Sequence, residues 1–284
     1  MKATYIDHMG TDLSVVNAAR VSFGKKSEWD FTCASGHGLC EMSYASFDCP
    51  YCELTLSKSD QSLIQFLARG CTSGDWSEMQ FDLMGEDDNF KHGHTEGLEE
   101  LMNHIRRMPP HWSPFAHTAI SIHLKMPIFV ARQIMKHTTG MVYNEVSRRY
   151  VTEEPEFYIP EKWRKASADK KQGSSDEAVE DTFGFQFATI GENTIQHATR
   201  RARESALDHY NALLDHGVAP EQARMVLPQS MYTEVIATGN LYSWANMFNQ
   251  RTDPHAQKET QELAKQIGSV IEPLFPVSWK ELTQ

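Results

Sequence analysis

The clearest periodicity in the chain lies at 118–138. Ile120, Ile122, Leu124 and Met126 alternate with Ser121, His123 and Lys125, the period-two pattern of a half-buried strand. Pro127 ends the alternation and suits the first turn of a helix. Apolar Ile128, Val130, Ala131, Ile134 and Met135 then recur with helical rhythm through IFVARQIMKH, and Gly140 is the predicted stop. The stretch KHTTGMVYNEVSRRY at 136–150 therefore opens at a helix C-terminus and is expected to continue as a loop. Loops at the ends of rigid elements commonly carry sites. Helices are predicted over 183–215, from Phe187, Ile190, Ile195 and Ala198, and over 255–275, from Ala256, Leu263, Ile267 and Ile271. Between them MYTEVIAT reads as a strand, Gly239-Asn240 as a turn, and the following residues as a helix. Strands and helices do not strictly alternate, which predicts the α+β class over a doubly wound sheet.

No internal repeat is present, and the chain reads as a single domain over 1–284 with two insertions, the cysteine-rich 30–56 and the polar, acidic 72–110. A further polar stretch, KASADKKQGSSDEAVED at 165–181, is expected to be an exposed loop leading into a helix. Of the 284 residues, 40% are hydrophobic and 23% charged, so a packed core is the default. The formal net charge of −11 argues against a general nucleic-acid binder, though not against a local basic pocket for a phosphate. No apolar run reaches the roughly 20 residues of a membrane span, and MKATYIDHMGTDLSVV lacks the apolar core of a secretory signal. A cytoplasmic protein is expected.

In an extended segment alternate side chains share a face. Glu145, Ser147 and Arg149 would then point one way, and Val146 and Arg148 the other. One face would offer a guanidinium fork, a hydroxyl and an acceptor, which suits an anionic, hydrogen-bonding small molecule. Lys136 and His137 could add charge for a second anion. A solvated Glu–Arg pair, worth little, is the plain alternative.

Five blocks in order turn that alternative aside. DLSVVNAARVSFGK at 12–25, HWSPFAH at 111–117, PIFVARQIMKHTTGMVYNEVSRRY at 127–150, ARMVLPQSMYT at 223–233 and NQRTDPHAQKE at 249–259 resemble the signature blocks of the flavin-dependent thymidylate synthases. The resemblance implies an antiparallel-rich sheet flanked by helices, a homotetramer with shared sites, and synthesis of dTMP from dUMP. It also implies FAD as cofactor, 5,10-methylenetetrahydrofolate as carbon donor and NADPH as reductant. By position in the motifs, Gln133, Glu145, Ser147, Arg148, Arg149, Arg224 and Arg251 would meet the nucleotide, with Arg149 and Arg224 on its phosphate and Arg251 or Gln133 facing the base. Ser147 and Arg251 would stand nearest the chemistry, Ser147 as a positioning and polarising group, since no histidine base adjoins it. For FAD the matching positions are Ser22, His111, Ser113, Lys136, His137, Thr138, Asn144, Glu145, Asn240, Asn246 and His255. Of these, Asn240 could serve only its turn and His255 only a helix start.

The departures from the family pattern fall on the flavin side. Its Arg-His-Arg is Lys136-His137-Thr138 here, which loses both planar forks and one charge. Eight residues separate Thr138 from Ser147 where the signature has seven, Ala116 replaces a common Glu, and Tyr242 a common Arg. Relaxed signatures and polar insertions resemble bacteriophage members of the family. A neighbouring chemistry, hydroxymethyl transfer to dUMP or dCMP, is therefore the second reading. A zinc-bearing binding protein without catalysis is the third, and a flavin absorption band would exclude it.

Four of the five cysteines fall within FTCASGHGLCEMSYASFDCPYC. Cys49 and Cys52 have zinc-knuckle spacing, and Cys33 with Cys40 or His37 could complete a tetrahedral site. A redox pair and plain reduced thiols are the alternatives. Cys71 has no assigned role.

Overall fold

The computed structural model describes residues 1–33, 52–70, 111–151, 153–167, 174–179 and 195–283. The polar stretch 72–110, Cys40, Cys49 and Cys71 lie outside them. A four-stranded sheet runs in the order β1 (Lys2–Met9), β4 (Ala119–Pro127), β8 (Tyr232–Gly239), β5 (Met141–Glu145). Two antiparallel ribbons accompany it, β2 (Asp30–Cys33) with β3 (Cys52–Thr55), and β6 (Arg164–Ala166) with β7 (Ser174–Ala178). The helices are α1 (Asp12–Arg20), α2 (Lys58–Arg69), α3 (Ile128–Ile134), α4 (Ile195–Asp215), α5 (Pro220–Ala223), α6 (Leu241–Thr252), α7 (Lys258–Ile271) and α8 (Pro276–Thr283). Short 3-10 turns lie at Val21–Phe23, Ser113–His117 and Arg224–Val226. No helix among the described residues is long and apolar enough to cross a membrane.

The chain forms two compact units. The first holds 1–7, 121–239 and 246–270, and the second 8–120, 240–245 and 271–284. In the first, the alternation of β4 is realised as a sheet with one dry face. Ile122, Leu124 and Met126 of β4 and Val235 and Ala237 of β8 are buried. On the other face His123 pairs with Glu234 at 2.9 Å. Pro127 caps α3, and the helix ends at Ile134, earlier than the apolar rhythm predicted. Tyr143 closes that end, its hydroxyl donating to the carbonyls of His137 at 2.8 Å and Ile134 at 3.2 Å. Carbonyls at a helix end accept side-chain donors readily, and that of Ile134 also takes the His137 N–H at 3.1 Å.

Two expectations are corrected. MVYNE, read as loop, is β5, in antiparallel register with β8 from Met141↔Gly239 to Glu145↔Val235. Arg164–Ala166 and Ser174–Ala178, largely within the stretch 165–181 read as an exposed loop, are the antiparallel strands β6 and β7. Both escaped a periodicity argument because pairing, not an apolar face, holds them. Helix 183–215 is described only as α4, from Ile195. The strand at MYTEVIAT, α6 and α7 stand as the pattern predicted, but Gly239, read as part of a turn, ends β8 opposite Met141.

The second unit is tied by two buried carboxylates. Asp12 accepts the backbone N–H groups of Val277 and Ser278, both at 2.9 Å, and so caps α8. Burial raises its pKa, and these bonds oppose the shift. Asp60, in the first turn of α2, accepts Arg20 Nε at 2.9 Å and Nη2 at 2.6 Å, Ser27 Oγ at 2.8 Å and Ser57 Oγ at 2.8 Å. In the first unit Gly268 of α7 lets Phe248 of α6 close in, since a Cβ there would sit 2.5 Å from the Phe248 ring.

Candidate functional site

The first unit carries a cleft of about 1090 Å³. It is built where four local features converge: the end of α3, the end of β5 with the turn that follows, the Arg224–Val226 turn, and the start of β8. Backbone bonds fix this convergence. Ile128 N donates to Met231 O at 2.9 Å, Phe129 N to Gln229 O at 3.2 Å, and Val146 N to Glu234 O at 2.9 Å. Five cations, Arg132, Lys136, Arg148, Arg149 and Arg224, line the cleft with one carboxylate, Glu145.

Ser147 opens a turn, accepting Tyr150 N at 2.9 Å and Val151 N at 3.2 Å on its carbonyl. The extended alternation expected over 145–149 therefore stops at Glu145. Ser147, Arg148 and Arg149 all face the same cleft, together with Val146. The Ser147 hydroxyl accepts from Arg149 N at 3.3 Å and Nε at 3.4 Å. Arg149 lies over the Tyr150 ring at 5.2 Å. Arg148 donates to the Glu153 carbonyl. Glu145 accepts from the buried Thr233 hydroxyl at 2.7 Å, which fixes one of its oxygens. A concave site with this charge balance selects an anion, and its arginines suit phosphate.

Gln133, His137 and Arg251 form a second network in the same unit. Arg251 donates to the Gln133 carbonyl and to His137 Nε2, each at 2.9 Å. Gln133 Nε2 donates to Gln257 Oε1 at 2.6 Å. A guanidinium on Nε2 requires the lone pair there, so the neutral imidazole carries its proton on Nδ1. Burial first, and then the Arg251 charge, lower the His137 pKa and keep the ring neutral.

Asn144, Asn246 and His255 belong to the same unit and are exposed. His255 is held by Asp253, whose carboxylate accepts its N–H at 2.7 Å and contacts Nδ1 at 2.9 Å. Thr138 is exposed on the turn after α3. In the second unit Ser22, His111 and Ser113 are exposed, and His111 stacks on Phe66 at 5.2 Å. Asn240 there caps α6, its Oδ1 accepting Ser243 N and Oγ at 2.9 Å. Cys33 and Cys52 are direct partners across β2 and β3. No cluster of three or more metal-ligating side chains occurs among the described residues.

Arg132, Thr233 and Gln257 were not singled out in the sequence, though all three lie in the quoted blocks. Arg132 lies on α3 and Lys136 in the turn just after it, and both line the cleft. Thr233 and Gln257 have no signal outside three dimensions.

An anion-selecting cleft set on the ends of a sheet and a short helix defines a small-molecule site. The profile of the thymidylate synthase complementing protein family matches residues 53–277. The chain belongs to that family. It is 31% identical over 275 residues to the flavin-dependent thymidylate synthase of Kosmotoga olearia, covering 97% of this chain and 86% of that one. To the enzyme of the same name from Thermus thermophilus it is 36% identical over 182 residues, 64% of this chain and 61% of that one. The fold is shared with the UMP/dUMP methylase PolB of Streptomyces cacaoi, solved with 5-Br dUMP. There the TM-score is 0.60 at 23% identity, over 99% of this chain and 94% of that one.

Proposed function

We infer that the protein is a flavin-dependent thymidylate synthase that methylates C5 of dUMP to give dTMP. The observation that carries the reading is the cleft in which Glu145, Ser147, Arg149 and Arg224, drawn from two separate sequence blocks, meet around one anion-selecting space. The cofactor is a flavin, and FAD, 5,10-methylenetetrahydrofolate and NADPH are its proposed form, carbon donor and reductant. When bound, the flavin relays the carbon and supplies hydride, chemistry no side chain here provides.

The chain's own residues bind and orient. Arg149 and Arg224 neutralise the phosphate. Glu145, fixed by Thr233, offers its other oxygen as an acceptor. Ser147 Oγ accepts from Arg149 and, among the described residues, hydrogen-bonds no histidine or carboxylate that could take its proton, so the hydroxyl is assigned to positioning the pyrimidine and not to attacking it. Gln133 and Arg251 are proposed on the base side, Arg251 also holding His137 as a neutral donor.

The donor set fits FAD. Lys136 is an exposed cation for pyrophosphate, and His137, Thr138, Asn144, Asn246 and His255 are polar groups of the same unit. Ser22, His111, Ser113 and Asn240 are the proposed flavin contacts of the second unit. A homotetramer is proposed as well. It rests on the resemblance of the sequence blocks to the family. A structural zinc on Cys33, Cys40, Cys49 and Cys52 is proposed from their spacing, with Cys33 facing Cys52 in register. Metal analysis near one zinc per chain is the expected result.

The test is anaerobic spectroscopy of the purified protein loaded with FAD. NADPH should bleach the flavin band, and dUMP should perturb the spectrum with an affinity that Arg149→Ala weakens. A chain that takes up no flavin would remove the reading.

A further inference from the structure

The first unit holds another pocket, of about 490 Å³, which shares no lining residue with the cationic cleft. Phe129, Tyr158 and Trp163 supply its aromatic walls, and Arg164, Arg203 and Glu259 most of its charge. The walls are preformed. Tyr158 N donates to Ser230 O at 2.7 Å, and the Tyr158 ring meets Phe129 edge-on at 5.7 Å. Such walls suit a flat ring.

The charges are unequally satisfied. Arg164 donates to Glu259 at 2.7 Å and to Ser174 at 2.7 Å, and both partners of that ion pair are largely buried. Arg203 is half-buried on α4 and, among the described residues, has neither a carboxylate nor a hydrogen-bond acceptor. Lys162, also on the lining, donates among the described residues to a backbone carbonyl alone, that of Asp176 at 3.0 Å. A half-buried guanidinium without a counter-charge has lost hydration that an anion would replace. Among the described residues Trp163 Nε1 is likewise buried without an acceptor and Glu259 Oε2 without a donor, so the lining holds two unsatisfied donors beside one unsatisfied acceptor.

We propose that this pocket binds a planar aromatic anion, its ring against Trp163 and Tyr158 and its phosphate or carboxylate on Arg203. The ligand class is a flat ring bearing one anionic group at a distance of a few bonds. A nucleotide and an aromatic acid of the p-aminobenzoylglutamate type both satisfy it. The site is separate from the nucleotide cleft and does not depend on the reaction assigned there.

The test is calorimetric titration of the full chain, loaded with FAD and held in excess dUMP so that the cleft is filled. The two probes, titrated separately, are thymidine 5′-triphosphate and p-aminobenzoylglutamate. Saturable binding of either, with about one site per chain, is expected, and which probe binds identifies the source. Arg203→Ala should weaken it about tenfold or more, with Arg203→Lys recovering part, while Arg149→Ala leaves it unchanged. A second readout covers loss of folding in the Arg203 variants: the probe should quench tryptophan fluorescence in the parent, and less so in Trp163→Phe. Failure of both probes to bind, or binding that falls with Arg149→Ala and not with Arg203→Ala, would overturn the proposal.

Discussion

Replacing Asp60 by alanine should destabilise the protein far more than loss of a surface ion pair. The carboxylate is 3% exposed and receives four side-chain hydrogen bonds, two from Arg20, one from Ser27 and one from Ser57. It also completes a reciprocal cap, because Ser57 Oγ accepts Asp60 N at 3.1 Å. Alanine removes the counter-charge and leaves a guanidinium that is 21% exposed, with two hydroxyls, short of acceptors. Breaking one side of a buried pair costs about 3–5 kcal/mol, against about 0–1 kcal/mol for an exposed pair. Urea unfolding followed by circular dichroism measures the difference at constant slope. Arg20→Ala should cost less, since Asp60 keeps both serine donors, and the double variant should cost less than the two singles together. A loss below about 1 kcal/mol for Asp60→Ala would refute the reasoning. The pH dependence adds a sign. Burial alone would raise the Asp60 carboxyl, but the bonds from Ser27, Ser57 and Arg20 and the Arg20 charge outweigh it and hold the pKa below the usual 3.8. Its contribution is therefore complete above the unfolded value and fades as pH falls through the lower native one. Asp60→Asn should flatten the acid limb of the stability curve below about pH 4.

Three further outcomes follow from the same packing and site geometry. Gly268→Ala should cost about 1–3 kcal/mol by thermal or urea unfolding, because its Cβ would press within 2.5 Å of the Phe248 ring. Arg149→Ala and Arg224→Ala should each weaken dUMP binding by about tenfold to a hundredfold, matching about 1.5–3 kcal/mol per charged hydrogen bond, with a shallower salt dependence read by equilibrium titration. Ultraviolet titration of the tyrosines should show two groups ionising at about 12, where burial raises Tyr143 and Tyr158. Tyr143→Phe should remove one of them.

What could be read in the sequence follows the physics of each element. β4, β8 and α7 bury one face, so their residues repeat with the period of the backbone, as Ile122, Leu124 and Met126 do. β5 hides its period because Val142 is 66% exposed while Met141 is buried, an apolar residue on the wet face. β6 and β7 have no apolar face to show, and their order comes from cross-strand bonds and the Arg164–Glu259 pair. The cleft was legible in part. Lys136, Glu145, Ser147, Arg148, Arg149 and Arg224 were all named from motifs and do line it. Their arrangement was not legible, because a turn at Ser147 replaces the extended segment on which the facing argument relied. Nor was the bond from Arg251 to His137, which joins side chains 114 positions apart. Sequence blocks give the cast of a site, and only the fold gives the partners.

The most direct test of the central claim is the mass of the nucleotide product. The FAD-loaded protein is incubated with dUMP, 5,10-methylenetetrahydrofolate and NADPH, and the nucleotide is weighed by mass spectrometry. The dUMP is expected to gain a methyl group at C5, in line with the proposed reaction. Gain of a hydroxymethyl group, or unchanged dUMP from a fully flavin-loaded protein, would contradict it.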